Sequence, residues 1–291
     1  MVLPPKTATT RRGELTERQW NQLKPLLPFQ KPHTGSPSKD HRTVINGILW
    51  VLRTGAPWRD LPERYGCWST VSGRFYHWRK IGLWQQILEL LQQQADEQGK
   101  LNWQIHFVDG SVIRAHQHAA GAKRGNNASD AATAIAQVQE REALGYSKGG
   151  FSTKIHLRCD GNGLPVTFLL TVGERHEAVV FEQLMEQGTV KRSSSGRPRL
   201  RPERVCGDKA YGSGSNRRYL RRRGIDHTLP RKSNERRRGK FDKSLYRQRN
   251  QVERCFNRPK QYRRIATRYE KKAENYLTML TLASIMMWLQ F

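Results

Sequence analysis

Four cysteines, Cys67, Cys159, Cys206 and Cys255, are spread over 291 residues with no C-x-x-C pair among them. That spacing argues against a disulfide framework and against a cysteine-built zinc site, and points to reduced thiols in a cytosolic setting. The stretch Met1 to Arg12 has no apolar core, so no secretory signal is expected there. The apolar run Tyr276 to Phe291 falls short of the roughly 20 residues that span a bilayer, so packing or a subunit contact is its expected fate and no membrane partner is expected. Acids are scarce: 25 Asp and Glu stand against 52 Lys and Arg, a formal net charge of +27. An excess of that size, spread over most of the chain, attracts polyanions, and nucleic acid is the default partner. Charge sets the class of partner and not the activity, since a ribosomal or architectural role would suit it equally.

The first hundred residues read as helical. Thr16-Glu17-Arg18-Gln19 is a capping box with Leu15 and Trp20 at the staple positions, which starts a helix that ends near Pro25. Lys31 to Lys39 reads as a loop. Asp40 can cap a second helix, with Val44, Ile45, Ile48, Leu49 and Leu52 as its buried stripe and Gly55 as its stop. Ser69 is expected to cap a third, burying Val71, Phe75 and Trp78 while presenting Thr70, Arg74, His77 and Arg79. A fourth, with Trp84, Ile87, Leu88 and Leu91, closes by about Gly99. Short helices around an aromatic core, one of them displaying basic and small polar residues, suit a helix-turn-helix-like DNA-binding domain over 1–100. A plain bundle for oligomer contacts is the alternative.

Beyond Gly99 the periodicity becomes strand-like, and 101–291 reads as an α/β domain. Trp103 to Arg114 is a strand or hairpin with Asp109 inside it, costly for an ionised carboxylate unless it is paired or bound to a metal. His116 and His118 follow on a loop, as phosphate contacts or ordinary loop histidines. A small-residue-rich, mobile insertion is expected near 119–147. Ser147-Lys148-Gly149-Gly150 precedes a strand and not a helix, so it is no P-loop, although Lys148, Lys154 and the glycine backbone can approach phosphates. Asp160-Gly161-Asn162-Gly163 is a hairpin turn. Val205 to Asp208 is a short strand ending on an acid. From Thr189 to Lys243 there are 19 Lys and Arg against 5 Asp and Glu.

The segment Tyr246 to Lys260 reads as one helix. At about 100° per residue, Tyr246, Arg249, Glu253 and Lys260 form a narrow stripe, with Val252 and Phe256 anchoring it to a core. Paired with Arg249 at i−4, Glu253 would be an ordinary surface acid. With the two Asp-bearing strands adjacent and this helix laid across one face, Asp109, Asp208 and Glu253 instead converge as a site for two divalent ions, Mg²⁺ with Mn²⁺ as substitute, suited to phosphoryl transfer.

The spacing Tyr246, Arg249, Glu253, Lys260 resembles the signature of bacterial insertion-sequence DDE transposases of the IS-five type. The blocks Val108 to His118 and Gly207-Asp208-Lys209-Ala210-Tyr211 resemble that family's other two motifs. Arg263 to Tyr269 and Leu61 to Trp78 are similar too, so the resemblance spans nearly the whole chain. It implies an RNase H-like catalytic domain that cleaves DNA and transfers strands at the element's terminal inverted repeats. It also implies Asp109, Asp208 and Glu253 as the catalytic, metal-binding triad. Lys260 would contact DNA near the scissile phosphate, with Tyr246 and Arg249 positioning the Glu-bearing helix and binding the end. The resemblance further implies a homo-oligomer bridging two ends and a cytoplasmic, nucleoid-associated protein. One departure stands out: Pro259 replaces a residue that is more usually aliphatic, and predicts a kink or helix end just after Arg258 that displaces Lys260. The competing readings are an end-binding protein that has lost catalysis and a general RNase H-like nuclease without end preference.

Overall fold

The computed structural model describes residues 11–30, 39–120, 140–192, 196–231, 235 and 241–291. Among them a helical layer leads into a mixed sheet of six strands. Helix α1 (Glu17–Leu23) begins with the capping box intact: Thr16 accepts from the Gln19 N–H, and Gln19 accepts in return from the Thr16 N–H. Helix α2 (His41–Thr54) is capped by Asp40 and ends on Gly55 at φ 74°, a left-handed conformation that favours glycine. Helix α3 (Trp68–Lys80) starts two residues ahead of expectation. Its N-cap is Cys67, and Ser69, expected as the cap, lies inside the first turn with its hydroxyl 3.1 Å from the Cys67 sulfur. Gly82 at φ 73° turns the chain into α4 (Leu83–Glu97). Rings lock these helices together, with Trp78 edge-on to Trp84 at 5.3 Å and Trp58 against Phe75 at 5.4 Å.

The link from α2 to α3, Gly55 to Cys67, carries two 3₁₀ turns and is longer than the three to four residues or so of a tight helix-turn-helix. The expected loop at 31–38, most of the expected insertion (121–139) and the arginine run at 236–238 lie outside the described residues.

In the sheet, β1 (Ile105–Arg114) pairs antiparallel with β3 (Gly150–Cys159), and β3 pairs antiparallel with β4 (Pro165–Val172). The short β2 (Gly145–Ser147) forms a hairpin with the start of β3. The turn at Asp160 to Gly163 is as expected: the Asp160 carboxylate accepts from the N–H groups of Asn162 and Leu164, and Gly163 sits at φ 76°. On its other edge β1 pairs parallel with β5 (Arg204–Gly207), and β5 with β6 (Asp226–Thr228). Crossover helix α5 (Glu177–Glu186) joins β4 to β5, and α6 (Gly214–Arg222) joins β5 to β6.

Alternation along β1 divides the core between the two faces. Phe107 and Ile113 belong to the cluster shared with the helical layer, whereas Val108 faces the cluster built on α5 and α6. Asp109 and Ser111 therefore share the face of Phe107. Over that face lie α7 (Lys243–Arg247), α8 (Asn250–Lys260), α9 (Arg263–Ala266) and α10 (Ala273–Trp288). The apolar C-terminal run becomes α10, buried along almost its whole length. Its Trp288 donates to the Pro165 carbonyl at 3.0 Å. No described helix is long and apolar enough to cross a membrane.

Candidate active site

Strands β1 and β5 run in register to the pair Val108–Gly207, and the next residue on each is an aspartate. Past that rung β5 ends, so Asp109 and Asp208 stand together where the parallel strands part. Asp208 caps the 3₁₀ turn Lys209–Tyr211, its carboxylate accepting from the Ala210 N–H at 2.9 Å. The Asp109 carboxylate accepts from the Gly110 N–H at 2.9 Å and keeps 19% of its side-chain surface exposed. Burial pushes Asp109 up to about 6. The Gly110 N–H and the Arg249 guanidinium oppose that shift, while the negative charges of Asp208 and Glu253 add to it.

The third carboxylate arrives on α8. The single helix expected over Tyr246 to Lys260 is in fact two: α7 stops at Arg247 and α8 starts at Asn250. Between them the hydrogen bonds tighten to i→i−3, from Arg249 N–H to the Tyr246 carbonyl and from Val252 N–H to the Arg249 carbonyl. Tyr246 thus leaves the stripe, yet its ring still lies 5.8 Å from the Arg249 guanidinium. Arg249 holds Glu253 at 2.5 Å and reaches Asp109 at 3.6 Å. Burial works against its charge, but Asp109 and Glu253 hold it above the ordinary arginine range. The i−4 ion pair of the surface-acid reading is present, and it forms at the edge of the aspartate pair.

These donors are all carboxylate oxygens, which suit a hard divalent ion. A cationic guanidinium is accommodated between Asp109 and Glu253, so positive charge fits the space. Among the described residues no three His, Cys, Asp or Glu side chains stand close enough to form a ready metal cage. Glu253 is about half exposed and is held by Arg249 at the edge of the aspartate pair.

Pro259 does not end α8 after Arg258. The helix runs one turn-closing step further, to Lys260, because the proline falls in the last turn, where only the bond to the Cys255 carbonyl is forfeited. Lys260 donates to the Ser111 hydroxyl on β1 at 2.7 Å.

The remaining candidates are scattered. Lys148 is exposed in the β2–β3 turn. Lys154 is buried beneath the sheet, pairing with Glu177 and donating to the Arg175 carbonyl, both at 2.8 Å. On α3, His77 is exposed, Arg74 lies over Trp78 and contacts His41 at 3.1 Å, and Arg79 pairs with Glu274 at 2.5 Å. His116 stacks on Tyr269 at 5.3 Å.

Three neighbours of Asp109 escaped the sequence reading. Ser111 shares its face. Tyr211, fully buried and with no partner for its hydroxyl among the described residues, and Glu177 approach from below: a Cβ on Gly110 would lie 3.5 Å from the Tyr211 hydroxyl and 3.2 Å from the Glu177 carboxylate. Only the spacing Asp208-x-x-Tyr211 hinted at one of them.

The fold and site define a mixed α/β protein with a carboxylate centre at the diverging ends of two parallel strands, preceded by a helical region. Residues 104–288 match the family described as "Transposase DDE domain", and residues 15–88 match that described as "Putative transposase of IS4/5 family". The chain belongs to the DDE transposases of the IS4/5 type. "Uncharacterized protein y4sN" of Sinorhizobium fredii (strain NBRC 101917 / NGR234) is 36% identical over 110 residues, 38% of this chain and 83% of that one. "Putative transposase for insertion sequence element IS402" of Burkholderia cepacia is 29% identical over 130 residues, 45% of this chain and 59% of that one. Among solved structures, "Mos1 transposase paired-end complex with left transposon end" is 10% identical over 79% of this chain and 80% of that chain, at a TM-score of 0.24, a likeness too loose to bear on the fold.

Proposed function

We propose that this chain binds double-stranded DNA at the terminal inverted repeats of its insertion sequence, then cleaves and joins it by metal-dependent phosphoryl transfer. The observation that carries the reading is the placing of Asp109 beside Asp208 at the end of two parallel strands, with Glu253 tied to Asp109 through Arg249, in a chain of net charge +27. Like charges gathered in this way cost free energy unless a counter-charge joins them. The strand sequence, three antiparallel strands followed by two parallel to the first, supports an RNase H-like catalytic region over 101–291.

Asp109, Asp208 and Glu253 would hold two Mg²⁺ ions, or Mn²⁺ in their place, which supply Lewis-acid stabilisation of the attacking and leaving oxygens. Arg249 releases Glu253 to the pair of aspartates and turns its guanidinium to a DNA phosphate, steadied by the Tyr246 ring. Lys260 meets the backbone beside Asp109, and Lys148 meets it from the β2–β3 turn. Arg74, His77 and Arg79 on α3 make the region 1–100 the reader of the DNA end. Lys154, spent on Glu177, supports the sheet from beneath. A homo-oligomer bridges two ends, and the protein works in the cytoplasm on the nucleoid. The engagement of Arg249 with both Asp109 and Glu253 favours a second reading, an end-binding protein that no longer cleaves.

Duplexes taken from the DNA bordering its gene, incubated with the purified protein and Mg²⁺, test the proposal. Nicking at a repeat end that disappears in Asp109→Asn is expected. Binding without nicking leaves only the second reading, and cleavage with no preference for the end makes the chain a general nuclease.

A further inference from the structure

We propose that Ser111 is a positioning residue for DNA cleavage, holding the Lys260 ammonium beside Asp109 from the very strand that carries the aspartate. The inference rests on the cleavage reading above and extends it to a residue outside the carboxylate centre.

Ser111 lies two residues beyond Asp109 on β1, so the two side chains leave the same face about 7 Å apart along the strand. Packing corroborates the shared face, because Phe107 and Ile113, in phase with both, lie in the core beneath α8. Lys260 reaches this face from the last residue of α8 and donates to the Ser111 hydroxyl at 2.7 Å, with its ammonium 5.5 Å from the Phe256 ring centroid. A lysine on a four-carbon stem has many rotamers, and a charge-assisted hydrogen bond at its tip selects one of them.

The identity of the partner matters. A carboxylate would neutralise Lys260, whereas a serine hydroxyl fixes its place and leaves its charge for an incoming phosphate. The contact also offsets what Pro259 does to the end of α8. The last turn there is closed by i→i−3 bonds, from Gln261 N–H to the Arg258 carbonyl and from Tyr262 N–H to the Pro259 carbonyl. Ser111 on β1 thus holds the tip of a lysine whose backbone is the last residue of the helix. Ser111 is half-buried, so its hydroxyl can be removed without opening the core.

Full-length wild type, Ser111→Ala, Ser111→Thr, Lys260→Ala and the Ser111→Ala/Lys260→Ala double variant decide the matter. Three readouts apply: acylation of Lys260 by a water-soluble succinimidyl acetate, followed by mass spectrometry; single-turnover cleavage of the bordering-DNA duplex; and the affinity for that duplex. Ser111→Ala should acylate Lys260 several-fold faster and cleave about tenfold more slowly, as loss of a charged hydrogen bond implies. Its duplex affinity and melting temperature should hold. Ser111→Thr should restore the rate, and the double variant should cleave no more slowly than Lys260→Ala. Wild-type cleavage by Ser111→Ala, or additive losses in the double variant, overturns the role of Ser111 while leaving the cleavage reading intact. If wild type and Asp109→Asn nick alike, the cleavage reading itself falls and the role of Ser111 falls with it. Acylation then reports only whether the contact exists.

Discussion

Val108 on β1 and Gly207 on β5 are the last register partners of two parallel strands, and each is followed by an aspartate. The pairing sets Asp109 and Asp208 side by side without any loop to adjust. Gly207 suits the rung, since a Cβ there would come within 2.7 Å of the Val108 side chain. Backbone register thus places two carboxylates, and Arg249 links one of them, Asp109, to Glu253 on α8.

Arg249 engages the same two carboxylates, Asp109 and Glu253, that an added cation would take. Arg249→Gln should therefore bind Mn²⁺ about twofold to fivefold more tightly than wild type in the absence of DNA, the range expected for losing a partly exposed ion pair of ~0.5–1 kcal/mol. Titration calorimetry or the Mn²⁺ paramagnetic resonance signal measures it. Weaker binding by the variant would make Arg249 a support of the site and not a competitor.

Asp109 titrates at about 6 in the folded chain, above the ordinary aspartate value of 3.8, chiefly because it is buried. A raised folded-state value means the folded protein favours the protonated acid. The stability this contributes is fully present below about pH 3.8 and is lost as pH rises through about 6, leaving an ionised, disfavoured carboxylate at neutral pH. Asp109→Asn, without added metal, should melt close to wild type near pH 4 and above it at pH 7.5. The gap should correspond to about 2–3 kcal/mol. Equal melting at both values would mean that Arg249 fully compensates the charge.

Pro259→Ala restores the N–H that the last turn of α8 lacks without enlarging the buried side chain. Because Lys260 already reaches Ser111 past the proline, DNA cleavage should stay within about twofold of wild type. A large gain in rate would show that the proline does displace the lysine.

Arg264 links the two regions of the chain. Its guanidinium pairs with Glu270 at 2.5 Å and donates to the Ala56 carbonyl at 2.8 Å, with only 10% and 5% of the two charged side chains exposed. Arg264→Ala strands a buried carboxylate and should cost about 3–5 kcal/mol in urea denaturation. The same loss in Arg264→Leu/Glu270→Leu would trace the effect to packing in place of charge.

Features set within a few residues were legible in the sequence. The Thr16 box, the Asp40 cap, the Gly55 stop and the Asp160–Gly163 turn depend on local hydrogen bonds and on φ, and each stands where its residues imply. The aspartates were legible as acids within or at the end of apolar strands. Ser69 misled because Cys67, a weaker capping residue, begins α3 under the packing of Val71 and Phe75. The break between α7 and α8 left no mark either, since tight i→i−3 turns use the same residues as an unbroken helix.

The sequence by itself determined the charge of this protein, its helical first region and strand-rich second one, and the placing of two aspartates within or at the end of apolar strands. Those follow from composition and from periodicities that span a few residues. Only the tertiary structure decided that Asp109 meets Asp208 at the last rung of a parallel pair, that Arg249 lies between Asp109 and Glu253, that Lys154 is spent on Glu177, and that Lys260 closes on Ser111. Each of those is a contact between residues far apart in the chain or on different elements, or a matter of which face of the sheet a residue takes. Strand register and helix packing settle them, and neither leaves a local signal.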